Sequence, residues 1–183
     1  MLEEKLKRMV LERSLRVAHE PIFKLSSGRY SRYYIDLKQI TLDPEGIHLV
    51  GSVMYSAIRP LKPHGAGGLT LGADPIAYAV AFVSYLDANP IKPFVVRKEK
   101  KMHGTGKQVE GLLKPGEKVV VLEDVVTTAS SSLKAVRACR EEGFEVLGVF
   151  CIVDREEGGR ENIEKEGLKL YSLFKLSQLL KEL

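Results

Sequence analysis

Glu123 and Asp124 form an adjacent carboxylate pair at the end of an apolar run, Val119-Val120-Val121-Leu122. A hydroxyl-rich turn follows, Thr127-Thr128-Ala129-Ser130-Ser131-Ser132. Carboxylates accept hydrogen bonds from sugar hydroxyls or share a divalent cation. Hydroxyls and free N–H groups at a helix start hold a phosphate. A phosphorylated sugar with vicinal hydroxyls satisfies the pair and the turn together. The segment 98–111, KEKKMHGTGKQVEG, sets Lys98, Lys100, Lys101, His103 and Lys107 among glycines, a charge that suits further phosphates. Asp154-Arg155 closes another apolar run. No G-x-x-x-x-G-K-[ST] occurs, so the turn is not a P-loop of that kind.

Taken singly, each feature has a plain structural reading. An acidic pair after a strand is often a solvated loop start, and a Ser/Thr turn is often only a helix cap. An Asp-Arg pair is often a surface ion pair. Their occurrence at consecutive strand ends favours a ligand site, because ligands of open parallel sheets sit beyond the carboxyl ends of the strands.

The elements that must hold these residues can be read from pattern. The branched run at 119–122 suits a strand buried on both faces. A helix follows it, with Gly143 as its stop. Strands are expected over 93–97, 146–153 and 168–173, the last at a sheet edge. Residues 2–17 read as one amphipathic helix. Short extended stretches follow at 23–28 and 33–37. Asp43-Pro44-Glu45 has the cap, first-turn proline and acidic residue of a helix start. Residues 65–72, GAGGLTLG, are either a turn before a helix capped at Asp74-Pro75 or backbone that comes close to a ligand. The helix 75–85 is apolar nearly all round, which fits a core position or a face against a second subunit. The polar, glycine-rich 98–111 segment is expected to be a mobile surface loop. Alternating strands and helices imply right-handed βαβ units, hence an α/β protein with a mostly parallel central sheet flanked by helices.

VVVLEDVVTTAS resembles the phosphoribosyl-diphosphate (PRPP) binding motif of type I phosphoribosyltransferases. Phe23 to Ser31 resembles the F-x-L-x-S-G-x-x-S segment of the orotate phosphoribosyltransferases. Arg97 to Gly104 resembles their R-K-x-x-K-x-H-G loop, and Asp154-Arg155 matches their Asp-Arg after a strand. The resemblance implies one phosphoribosyltransferase domain over 1–183, with 1–40 contributing to a hood and 98–111 an active-site loop. It implies that Glu123 and Asp124 bind the ribose hydroxyls, and that Val125, Val126, Thr127, Thr128, Ala129, Ser130 and Ser131 wrap the 5-phosphate. Arg97, Lys98, Lys101 and His103 would bind the diphosphate, with Mg²⁺ bridging diphosphate and ribose oxygens and no dedicated protein metal site. Lys101 and Asp124 would be the catalytic residues. Thr127 and Arg155 would hold orotate, an arginine fork being suited to a planar carboxylate; Tyr34 would flank its ring. The implied reaction is transfer of the phosphoribosyl group from PRPP to orotate, giving orotidine 5′-phosphate and diphosphate. A homodimer with shared sites is implied as well. Three departures stand out: Ala129 lies in a turn where many relatives have glycine, Ser26 replaces a lysine, and 68–74 replaces a lysine-bearing loop.

A net charge of +4 permits nucleic acid but fits a small polyanion equally well. No aromatic-rich basic strand or nucleic-acid motif is present, so the small polyanion leads. No apolar run reaches the roughly 18 residues of a membrane span, and the N-terminal residues are charged throughout, so a cytoplasmic protein is expected. Cys139 and Cys151 match no metal-ligand spacing and read as buried, reduced thiols. The rival functions are transfer to another base, and a regulator that senses PRPP without catalysis.

Overall fold

The computed structural model describes residues 1–25, 28–99 and 107–183. Helix α1 (Leu2–Met9) continues into one π-helical turn at Val10–Ser14. Leu6, Met9 and Val10 are buried, as their spacing requires. The helix expected over 2–17 ends there. Leu15–Val17 is strand β1, paired antiparallel with β4 (Tyr33–Ile35), and this non-local ladder overrides the local helical period. Between them β2 (Phe23–Lys24) pairs with β3 (Tyr30–Ser31), and the Phe23 ring stacks on Tyr34 with centroids 5.6 Å apart. Helix α2 (Lys38–Thr41) leads to α3 (Pro44–Ile58), capped where Gly46 N–H donates to Asp43 Oδ1 at 2.8 Å.

The rest of the described chain builds a six-stranded sheet. Its elements are β5 (Gly65–Leu69), α4 (Ala73–Leu86), β6 (Lys92–Val96), β7 (Val109–Gly111), β8 (Lys118–Val126), α5 (Ser130–Glu141), β9 (Glu145–Asp154), α6 (Gly159–Lys165), β10 (Leu170–Lys175) and α7 (Leu176–Leu180). The spatial order is β10-β9-β8-β5-β6-β7, parallel except for the β6–β7 pair. Along β8, Val120 and Leu122 enter a core with α1, α3 and α4, while Val119 and Val121 enter a second core with α5 and α6. Two covered faces explain an apolar run without alternation. Cys139 and Cys151 are buried free thiols, and burial pushes Cys139 up to about 12.

Three expectations change. Residues 65–69 are a central strand, not a turn: a Cβ on Gly67 would overlap the Phe94 carbonyl and one on Gly68 the Leu122 carbonyl. The glycines are there because neighbouring strands leave no room for a side chain. Helix α4 starts at Ala73 with Gly72 before it, and Asp74 accepts from Thr70 Oγ1 at 2.6 Å instead of capping the helix. The segment 98–111 is not loop throughout: β7 occupies 109–111, and Arg97 N–H donates to the Gln108 carbonyl at 2.9 Å. Among the described residues no helix is long and apolar enough to cross a membrane.

Candidate active site

Chain order runs outward from β5 to β6 on one side and from β8 to β9 and β10 on the other. The crevice of such a sheet opens where the order reverses, here between β5 and β8. The β5–β8 ladder ends at Gly67–Val121, yet β8 continues to Val126. Glu123 and Asp124 lie on that extension, where β8 stays paired with β9 but no longer with β5.

The two carboxylates differ. Glu123 is only 7% exposed, and Ser132 Oγ donates to its Oε2 at 3.3 Å. Burial, with the charge of Asp124 beside it, pushes the Glu123 carboxyl well above its usual range. Asp124 is half-buried, and its Oδ1 accepts from Val125 N–H at 2.7 Å. The loop after β5 comes close to it: a Cβ on Gly72 would lie 2.9 Å from the Asp124 carboxylate. Asp74, in the first turn of α4 just after that loop, has its Oδ1 buried without a hydrogen-bond partner among the described residues.

Beyond β8 the chain folds around a cavity of about 60 Å³, lined by Glu123 and every residue of 125–132. It lies over the first turn of α5, whose leading N–H groups have no partner within the helix. Ala129 adopts φ 66°, ψ 15°, the left-handed conformation that favours glycine. The turn keeps this geometry with an alanine, at a cost of about 1 kcal/mol. Asn162 Nδ2 braces it from α6, donating to the Thr128 carbonyl at 3.1 Å. Burial that favours the neutral form of Glu123 lowers the repulsion that a carboxylate pair would exert on an anion here.

Arg155 follows β9, the neighbouring strand, and its N–H donates to the Val126 carbonyl at 2.9 Å. It is 5% exposed, and its guanidinium is already engaged. Nε donates to Glu157 Oε1 at 2.8 Å, Nη2 to Ser31 Oγ at 3.1 Å, and both Nη atoms to the Tyr33 carbonyl at 3.3 Å. The fork expected to face a carboxylate therefore faces the β3–β4 segment. Asp154 is buried and accepts from Arg160 Nη2 at 3.1 Å, so it serves the scaffold. Arg97 and Lys98 are exposed, and Arg97 Nε donates to Glu110 Oε1 at 2.9 Å. Lys101 and His103, with Ser26, lie outside the described residues.

The description "phosphoribosyl transferase domain" matches residues 67–173. The chain is 71% identical over 181 residues to the orotate phosphoribosyltransferase of Aquifex aeolicus, covering 98% of this chain and 99% of that protein. The chain belongs to the orotate phosphoribosyltransferase family. A family member from Pyrococcus abyssi is 42% identical, with 98% of this chain and 95% of that protein covered. Among solved structures, the Mycobacterium tuberculosis orotate phosphoribosyltransferase in complex with PRPP is similar at TM-score 0.79 and 38% identity, covering 98% and 99% of the two chains.

Pattern reading of this family member brought the acidic pair, the hydroxyl turn and Arg155 together, and these do converge at the carboxyl ends of β8 and β9. It missed Glu157, Ser31 and Asp74. Glu157 had a signal: a carboxylate two residues after Arg155 is within reach of its Nε.

Proposed function

We propose that this protein transfers the 5-phosphoribosyl group of PRPP to orotate, releasing orotidine 5′-phosphate and diphosphate, in the synthesis of pyrimidine nucleotides. The observation that carries the reading is the phosphate-sized cradle over the start of α5, with Glu123 in its wall, Asp124 next along β8 and Arg155 one strand away. In this reading the N–H groups and hydroxyls of 125–131 take the 5-phosphate. Asp124, with Glu123 behind it, takes the ribose hydroxyls. Arg97, Lys98, Lys101 and His103 give positive charge to the diphosphate, and Thr127 and Arg155 hold orotate.

No group of three or more His, Cys, Asp or Glu able to hold a metal occurs among the described residues. A magnesium ion carried in on the diphosphate still fits: Asp124 presents hard oxygen beside Gly72, and Asp74 Oδ1, in the first turn of α4, is an orphaned carboxylate oxygen. When bound it would neutralise charge on the leaving diphosphate. The side chains then act mainly by position. The cradle fixes one end of the sugar, Asp124 its hydroxyl face, and orotate's ring nitrogen attacks C1 as the bond to diphosphate loosens. Lys101 stabilises the departing charge.

The same reading includes a homodimer. Tyr78, Phe82, Tyr85 and Leu86 are 55%, 66%, 72% and 69% exposed, and their spacing sets them on one face of α4. The occupant proposed for that face is a second copy of the chain. The activity is tested by following orotate absorbance with PRPP and Mg²⁺ present. It should fall only when all three are supplied; no loss of orotate would refute the transfer.

A further inference from the structure

Glu157 is held by two arginines, Arg155 and Arg29. Arg155 Nε donates to its Oε1 at 2.8 Å, and Arg29 Nη2 donates to its Oε2 at 3.0 Å. Its side chain is 20% exposed and that of Arg155 3%, whereas Arg29 is 63% exposed. The carboxylate thus ties the end of β9 to the turn between β2 and β3.

The bonds on Arg155 are unequal. Glu157, Tyr33 and Ser31 together take four of the five N–H groups that an arginine offers. The bond to Glu157 is short and charged at both ends; those to the Tyr33 carbonyl and Ser31 hydroxyl are 3.1–3.3 Å and charged at one end only. Doubly charged hydrogen bonds are the stronger class. An incoming carboxylate would therefore displace Tyr33 and Ser31 from the Nη fork while Glu157 keeps Nε. A side chain held at Nε can turn its outer fork without leaving the site.

Charge poses a second problem. Arg155 with Glu157 alone is neutral and would offer an anion little attraction. Arg29 restores one net positive charge to the group.

We propose that Glu157 is a positioning residue that keeps Arg155 in place while its fork exchanges Tyr33 and Ser31 for the carboxylate of the acceptor base, and that Arg29 compensates Glu157 so that the group still attracts an anion. This rests on the assignment of Arg155 to orotate.

The test is steady-state kinetics on wild type and on Arg155→Ala, Glu157→Ala, Glu157→Gln, Arg29→Ala and the double variant R29A/E157A, with thermal unfolding of each. Glu157→Ala should raise KM for orotate roughly tenfold, the equivalent of one strong hydrogen bond, and leave KM for PRPP within about twofold. Glu157→Gln keeps an acceptor for Nε and should recover most of the loss. Arg29→Ala should raise KM for orotate a few-fold in wild type and have little effect once Glu157 is alanine. Equal effects of Glu157→Ala on both KM values, or no rescue by glutamine, would overturn the positioning role. Additive effects in the double variant would overturn the compensating role of Arg29. If Arg155→Ala itself raises both KM values alike, the assignment of Arg155 fails first, and that outcome is read independently of the Glu157 variants.

Discussion

Glu123 carries an energetic cost that its site explains. A carboxyl that is buried beside Asp124, with two long hydrogen bonds at 3.3 Å from Ser132 Oγ and the Asp124 N–H, holds its proton more tightly folded than unfolded. A group whose folded value is raised contributes fully below the ordinary carboxylate range and loses that contribution as pH rises through the folded value. Above about pH 5 the fold therefore works against this side chain. Glutamine keeps an acceptor for Ser132 and has no proton to lose. Glu123→Gln is expected to raise the melting temperature of the ligand-free protein by about 3 °C or more at pH 8, as a gain of about 1 kcal/mol would do for a chain of this size. The gain should shrink toward zero at pH 4. Melting curves across that range check it; a difference that does not vary with pH would contradict it.

At the scale of elements, the central strand β5 is the least legible part of the chain. Glycine density marks turns more often than strands, and its true cause, two neighbouring backbones at close approach, is invisible until those strands are paired. Gly67→Ala is accordingly expected to cost about 3 kcal/mol, lowering the melting temperature on the order of 10 °C. Denaturant unfolding measures it, and a change under about 1 kcal/mol would show that the sheet has room to give. Strand β1 was hidden for a related reason: its helical spacing is local, whereas its ladder to Tyr33–Ile35 is not. Elements whose signals are local were readable. The Asp43 cap and the run at 119–122 fell where their residues indicated, and the hydroxyl turn did so over 127–129, while 130–132 already form the first turn of α5. Two partners of Arg155, Ser31 and Tyr33, were not readable, since they lie more than a hundred residues away.

For the whole molecule, the proposed dimer is tested on the exposed face of α4. A variant with Phe82→Glu and Tyr85→Glu is expected to run as a monomer in size-exclusion chromatography with light scattering, where wild type runs at twice the chain mass. A wild-type protein of single-chain mass would contradict the dimer. The choice of acceptor also belongs to this scale, because the proposed reading has the cradle of β8, the arginine after β9 and the β3–β4 segment act on one substrate. The fold itself does not decide it: a Leishmania donovani adenine phosphoribosyltransferase has a similar fold at TM-score 0.64 and 17% identity. The most direct measurement offers the protein equimolar orotate and adenine with limiting PRPP and Mg²⁺, and identifies the nucleotides by mass spectrometry. Orotidine 5′-phosphate should form in an amount equal to the diphosphate released, with no adenosine monophosphate. Formation of adenosine monophosphate, or diphosphate release with no nucleotide, would contradict the account.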